Sequence, residues 1–80
     1  MKYNDETSMN PHLQQEIQEC LTQANESFAK GKANPVAMAR LGGICTALHA
    51  LTDEIWDVSY QIGEGYVLLN EDKTECIKAE

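Results

Sequence analysis

AMARLGGICTALHALTDEIWDVSYQI, residues 37–62, is the stretch on which the fold turns. Eight apolar side chains run through it: Ala37, Leu41, Ile44, Leu48, Leu51, Ile55, Val58 and Ile62, at alternating intervals of four and three. That spacing averages about 3.5 residues and puts all eight on one side of an α-helix, the seam by which one helix presents itself to another. The stretch therefore predicts a helix over 34–62, with Leu41, Ile44, Leu48, Leu51, Ile55, Val58 and Ile62 as a dimer seam. Gly42-Gly43 sits inside it. Each glycine costs about 1 kcal/mol relative to alanine in a helix, so the pair marks either a kink after Leu41 or a close approach by a neighbouring helix.

Upstream, Asn34-Pro35 supplies the start of that helix, an N-cap followed by a proline whose missing N–H costs nothing at the first helical position. Asn10-Pro11 repeats the device, and Leu13, Ile17, Cys20, Leu21, Ala24 and Phe28 follow at helical spacing until Gly31. Helix one thus covers 10–31. The short link from Gly31 to Asn34 folds the two helices back as an antiparallel hairpin. About 20 and 28 residues correspond to roughly 30 and 42 Å, so the second helix should overhang the first and expose apolar surface there. Residues 1–9 are polar, without period, and read as a flexible arm.

Downstream, Gly63 and Gly65 close the second helix and the period changes. Tyr66-Val67-Leu68-Leu69 is β-prone, Asn70-Glu71-Asp72-Lys73 is turn-like, and Thr74-Glu75-Cys76-Ile77 suits a return strand. Residues 65–78 are expected to form a β-hairpin, or else a tail. The fold class is mainly α: one small domain over 1–80, an antiparallel helical hairpin with a short C-terminal β-hairpin or tail, dimerising into a helical bundle.

Composition narrows the function classes. Eighty residues make at most one domain, and a core of this size contributes about 3–5 kcal/mol, which is why small chains often add metal, disulfides or a second copy. Cys20, Cys45 and Cys76 are odd in number and widely spaced, which is neither a disulfide framework nor a zinc pattern. They read as free thiols of a cytoplasmic protein. No apolar run is long enough for a membrane span or a signal peptide.

The net charge is −7, and residues 51–80 carry −6 of it. Such a surface repels nucleic acid and steers toward a basic partner, although acidity also serves simply to keep a small protein soluble. Asp53, Glu54 and Asp57, with Glu71, Asp72 and Glu75 around the hairpin, form the leading candidate partner-binding set. In a two-fold dimer these carboxylates would be doubled into two negative stripes resembling the phosphate rows of duplex DNA. Trp56 and Tyr60, beside the seam, either widen the apolar face or serve as an aromatic anchor with a charged rim.

No catalytic motif stands out. His49, Asp53 and Asp57, spaced by four, would line one helix face, but one row rarely supplies the convergent ligands a metal needs. Cys45 and His49 are also four apart, yet no oxyanion-hole element accompanies them, and cysteine is usually a buried residue. No catalytic residue, metal or cofactor is expected.

Ile44-Cys45, Leu48-His49 and Asp53-Glu54 followed by an apolar and an aromatic residue give the stretch from Ile44 to Trp56 a local resemblance to the second helix of the Rop family, small plasmid copy-number proteins built as dimeric helical hairpins. The resemblance implies that such a hairpin can dimerise into four helices. That family binds RNA through a basic face on its first helix, whereas helix one here carries Glu16, Glu19 and Glu26 with only Lys30 near its end. Direct nucleic-acid binding is therefore not expected. The expected activity is that of a non-enzymatic acidic regulator binding another protein. It would be an anti-CRISPR or anti-restriction type of inhibitor that blocks a basic nucleic-acid-binding groove. The alternative is a structural, adaptor or antitoxin-like dimerisation module.

Overall fold

The computed structural model describes residues 11–79. The arm at 1–9, the Asn10 cap and Glu80 lie outside the described residues. Two helices, α1 (Pro11–Ala29) and α2 (Pro35–Thr52), are followed by three strands, β1 (Trp56–Gln61), β2 (Gly65–Asn70) and β3 (Cys76–Lys78). The strands form one antiparallel sheet in the order β1-β2-β3. Both helices pack on one face of it, α2 against β1 and α1 against β2.

The helical hairpin is built as its capping residues dictate. Gly31 is left-handed (φ 74°). The Lys32 N–H donates to the Ser27 carbonyl and the Gly31 N–H to the Phe28 carbonyl, both at 2.9 Å, the paired bonds of a Schellman ending. Three residues later Asn34 caps α2, its Oδ1 accepting from the Ala37 N–H at 3.0 Å. The Asn34 amide also donates to Ser27 Oγ at 3.1 Å, tying the second helix's start to the first helix's end. Further along, Arg40 is paired with Glu16 across the two helices.

The second helix ends at Thr52, ten residues short of Ile62, and this corrects the reading of the chain in several places. Asp53 turns into the left-handed region (φ 61°), its N–H closing on the His49 carbonyl at 2.8 Å. The next residues then obey a different period. Trp56, Val58 and Tyr60 alternate with Asp57, Ser59 and Gln61, and an alternation of two is a strand. The heptad spacing runs on through a segment whose true repeat is two. The helices are 19 and 18 residues long, so no overhang exists. The C-terminal part is a three-stranded sheet, its third member supplied by residues assigned to the helix.

The seam comes apart accordingly. Ala37, Leu41, Ile44 and Leu48 are buried, but against this chain's own α1 and sheet, with Ile17, Cys20, Leu21, Ala24, Trp56 and Leu68. Leu51 and Ile55 are about half exposed, Val58 faces inward from β1, and Ile62 stands in the β1–β2 turn at 96% exposure. A continuous helical dimer seam does not exist. Gly42 and Gly43 neither kink α2 nor admit a neighbour, since the helix runs unbroken and a Cβ on either would meet nothing within 4 Å.

Between β1 and β2, Gly65 is fixed by two demands. Its φ of 83° is left-handed, and a Cβ there would come within 2.5 Å of Asn25 Oδ1. That same oxygen accepts from the Tyr66 N–H at 2.7 Å, clamping the start of β2 to α1.

Candidate functional site

The turn that ends α2, the start of β1 and the β2–β3 turn meet at one end of the molecule, because Trp56 pairs with Asn70 in the sheet. All six carboxylates singled out in the sequence lie there. Asp53 is the exposed left-handed residue after α2, and Asp57 is exposed on β1, the edge strand beside α2. Glu71 and Asp72 are exposed in the β2–β3 turn, while Glu54 and Glu75 are half-buried. Charges that are scattered over 23 positions of sequence share one surface.

What holds them is a buried amide. Asn70 is 4% exposed and all of its polar groups are engaged. Its Nδ2 donates to Glu54 Oε1 at 2.7 Å and to Thr74 Oγ1 at 2.9 Å. Its Oδ1 accepts from the Glu75 N–H at 2.9 Å, and its carbonyl from the Lys73 N–H at 3.0 Å. Asn70 thus binds the start of β1 to the β2–β3 turn. A buried polar group must be satisfied to be tolerated, so this network is rigid by necessity. The sequence flagged Asn70 as a turn former; nothing in it marked the residue as a hub.

Trp56 belongs to the same scaffold and is not a surface anchor. It is 3% exposed, and its indole N–H donates to Thr52 Oγ1 at 3.0 Å. Thr52 also accepts from the Glu54 N–H at 3.3 Å and donates to the Leu48 carbonyl at 2.8 Å, so one hydroxyl ends the helix and orients the indole. Tyr60 lies at the opposite end, in contact with Phe28 and Tyr66. The structure therefore separates the two aromatics that the sequence had grouped.

Beside the carboxylates, between α2 and β1, runs a groove of about 540 Å³ lined by Gly42, Cys45, Thr46, His49, Ile55, Trp56, Asp57 and Val58. The row of His49, Asp53 and Asp57 is broken, with one residue on a helix, one in a turn and one on a strand. Among the described residues no group of three His, Cys, Asp or Glu side chains is placed to hold a metal ion. His49 Nδ1 is 3.0 Å from the Glu54 carbonyl, so that nitrogen carries the proton. The Cys45 thiol is pushed up to about 11, first by burial and then by the Asp57 carboxylate. At neutral pH it is a protonated thiol, the opposite of an activated nucleophile. Burial also raises Cys20 and Cys76, and all three cysteines are free.

Comparison with family models, curated proteins and solved structures gives no match for this chain. The Rop resemblance gains no support from the fold, since Asp53, Glu54, Ile55 and Trp56 leave the helix. No helix among the described residues is long and apolar enough to cross a membrane.

Proposed function

We propose that this chain is a non-enzymatic regulatory protein of the reducing cytoplasm that docks its acidic end on a basic surface of another protein. The observation that carries this is the gathering of Asp53, Glu54, Asp57, Glu71, Asp72 and Glu75 on one rigid end, with Lys73 the sole cation of that turn. A fixed array of like charge gains most where the partner presents a fixed array of opposite charge, because it speeds encounter and sets orientation. Basic surfaces of that kind are typically built to hold nucleic-acid phosphates. An inhibitor of the anti-CRISPR or anti-restriction type is the form this reading takes. Imitation of duplex phosphate rows by a doubled stripe is dropped with the helical seam on which it depended.

The test is affinity capture from host lysate at low ionic strength, with the native chain and with Asp53→Lys/Asp57→Lys/Asp72→Lys. A basic partner should be retained by the native chain and lost both from the variant and at high salt, since exposed charges further apart than about 8–10 Å are screened at physiological ionic strength. An identical set of captured proteins from both chains would sink the proposal. The second reading, an adaptor with an aromatic anchor, draws support from Tyr60, whose ring is half exposed, and none from Trp56.

A further inference from the structure

The end opposite the carboxylates has the contrary chemistry. The last turn of α1, the link to α2 and the start of β2 enclose a groove of about 390 Å³ lined by Ala24, Phe28, Lys32, Asn34, Met38 and Tyr66, among others. Phe28, Tyr60 and Tyr66 form a ring cluster along its edge. Centroids are 4.8 Å apart for Phe28–Tyr60, 5.8 Å for Phe28–Tyr66 and 5.3 Å for Tyr60–Tyr66. Yet Phe28 is 48% and Tyr60 47% exposed, and Ile62 projects from the neighbouring turn. Two of the chain's exposed large apolar side chains, Phe28 and Tyr60, thus meet at one groove.

The charge around that groove is unlike the rest of the chain. Arg40 is paired with Glu16 and Lys78 with Glu64, whereas Lys30 and Lys32 make no ion pair among the described residues. Lys32 lines the groove itself, and so does Asn34, the residue from which α2 starts. The partial positive charge of a helix N-terminus therefore opens onto the same space. Glu26 is the nearby acid on α1, one turn before Lys30. The walls are preformed: Asn25 clamps Tyr66, and Asn34 holds α2 to Ser27. Met38 supplies an unbranched, adaptable wall.

We propose that this groove is a second docking site, which takes an extended segment of a partner protein carrying an aromatic or aliphatic side chain next to carboxylates. Its volume falls in the range of clefts that enclose a bulky side chain with its flanking backbone. The rings and Met38 receive the apolar group. Lys30, Lys32 and the α2 N-terminus receive the acids, in a chain whose remaining surface repels them. The two ends then select partners of opposite charge, and the molecule can bridge them. This site stands independently of the acidic end, and the experiment separates the two.

The experiment is a titration of the isotope-labelled full chain, followed by backbone amide shifts, with a short synthetic peptide alternating Asp and Glu with Phe and Leu. Shifts should appear at Phe28, Lys32, Met38 and Tyr66 and leave Asp53 to Asp57 still. Lys30→Glu/Lys32→Glu, with its native spectrum otherwise retained, should weaken binding by about tenfold or more. Phe28→Ala should weaken it also. The same peptide with lysine replacing every acid should move the acidic end instead. The proposal is overturned if the acidic peptide leaves the groove amides unmoved. It is equally overturned if the lysine peptide shifts them as strongly, if phenylpropionate alone binds there as tightly as the peptide, or if the shifts follow protein concentration without peptide, which would make a second copy the occupant.

Discussion

The acidic end and the aromatic end of this molecule are held together by opposite means. At the acidic end much of the fastening is polar: Asn70 and Thr52 hold β1, α2 and the β2–β3 turn through directed hydrogen bonds, and Trp56 adds a large buried surface. At the aromatic end the fastening is mostly ring packing, helped by the Asn25 clamp, and two of the three rings stay half in water. The difference follows from what each end displays. Carboxylates repel one another and would splay apart unless their backbone were pinned, so charge needs a rigid, satisfied scaffold beneath it. An apolar groove needs no such support, because rings attract, but a small chain lacks the residues to bury them fully.

The comparison breaks most readily at its largest element. Trp56→Ala should cost about 3–5 kcal/mol, the range for deleting a buried aromatic, and leave the chain largely unfolded in a denaturant or thermal melt. Tyr60→Ala, at an exposed ring on the same strand, should cost far less. Equal losses would mean that Trp56 is no more structural than Tyr60. Next comes Asn70→Ala. It orphans the Glu75 N–H and releases Glu54 and Thr74, at about 1–3 kcal/mol. Amide exchange should rise at Lys73 and Glu75 and stay unchanged at Tyr66, since the aromatic end is fastened separately. A rise at both ends would show that the two are not independently held.

How much of this was legible beforehand depends on how local the deciding signal is. The start of α2, the Gly31 stop and the β2–β3 turn follow from cap and turn chemistry carried within a few residues, and these were readable. The boundary at Thr52 was not. Ala37 to Leu51 is helical at heptad spacing, and Ile55, Val58 and Ile62 continue the count by coincidence, so a longer repeat masked the alternation of Trp56, Val58 and Tyr60. Val58 fits both patterns, which is why the period alone could not arbitrate. The turn residues Gly63 and Gly65, directly after that alternation, were the signal for a hairpin. The six carboxylates are visible in the sequence as residue types, but their meeting depends on the pairing of Trp56 with Asn70, a contact across 14 positions. The Phe28 ring cluster joins α1 to a hairpin more than thirty positions away, and no local pattern announces that.

Along α2, which connects the two ends, Gly42 and Gly43 test whether that connection serves stability alone. Both are exposed, helical and open to a Cβ. Gly42→Ala and Gly43→Ala should each therefore stabilise the chain by up to about 1 kcal/mol, or roughly 4–8 °C in melting midpoint for a domain this small. A loss of stability would mean that the helix is strained there. Unchanged folding with weakened partner capture would place a partner against those glycines.

The smallest effect concerns the charge of the acidic end and is read at Cys45. Its thiol titrates near 11 instead of 9, with burial the main cause and Asp57 the lesser one. Because the folded value is the higher, the folded chain keeps the proton longer. Stability is full below about pH 9 and drains away as pH rises through 9 to 11. The loss should stay below the ~1.4 kcal/mol per unit of an unscreened group, since Cys45 is only half-buried. Alkylation of Cys45 should accordingly climb with pH toward 11 and lag behind that of the exposed Cys76. Asp57→Asn should move the Cys45 profile down slightly and no further than burial allows. If the profile falls all the way to an ordinary thiol's, the acidic end would govern the groove by charge. If it does not move at all, the field of those carboxylates does not reach the groove.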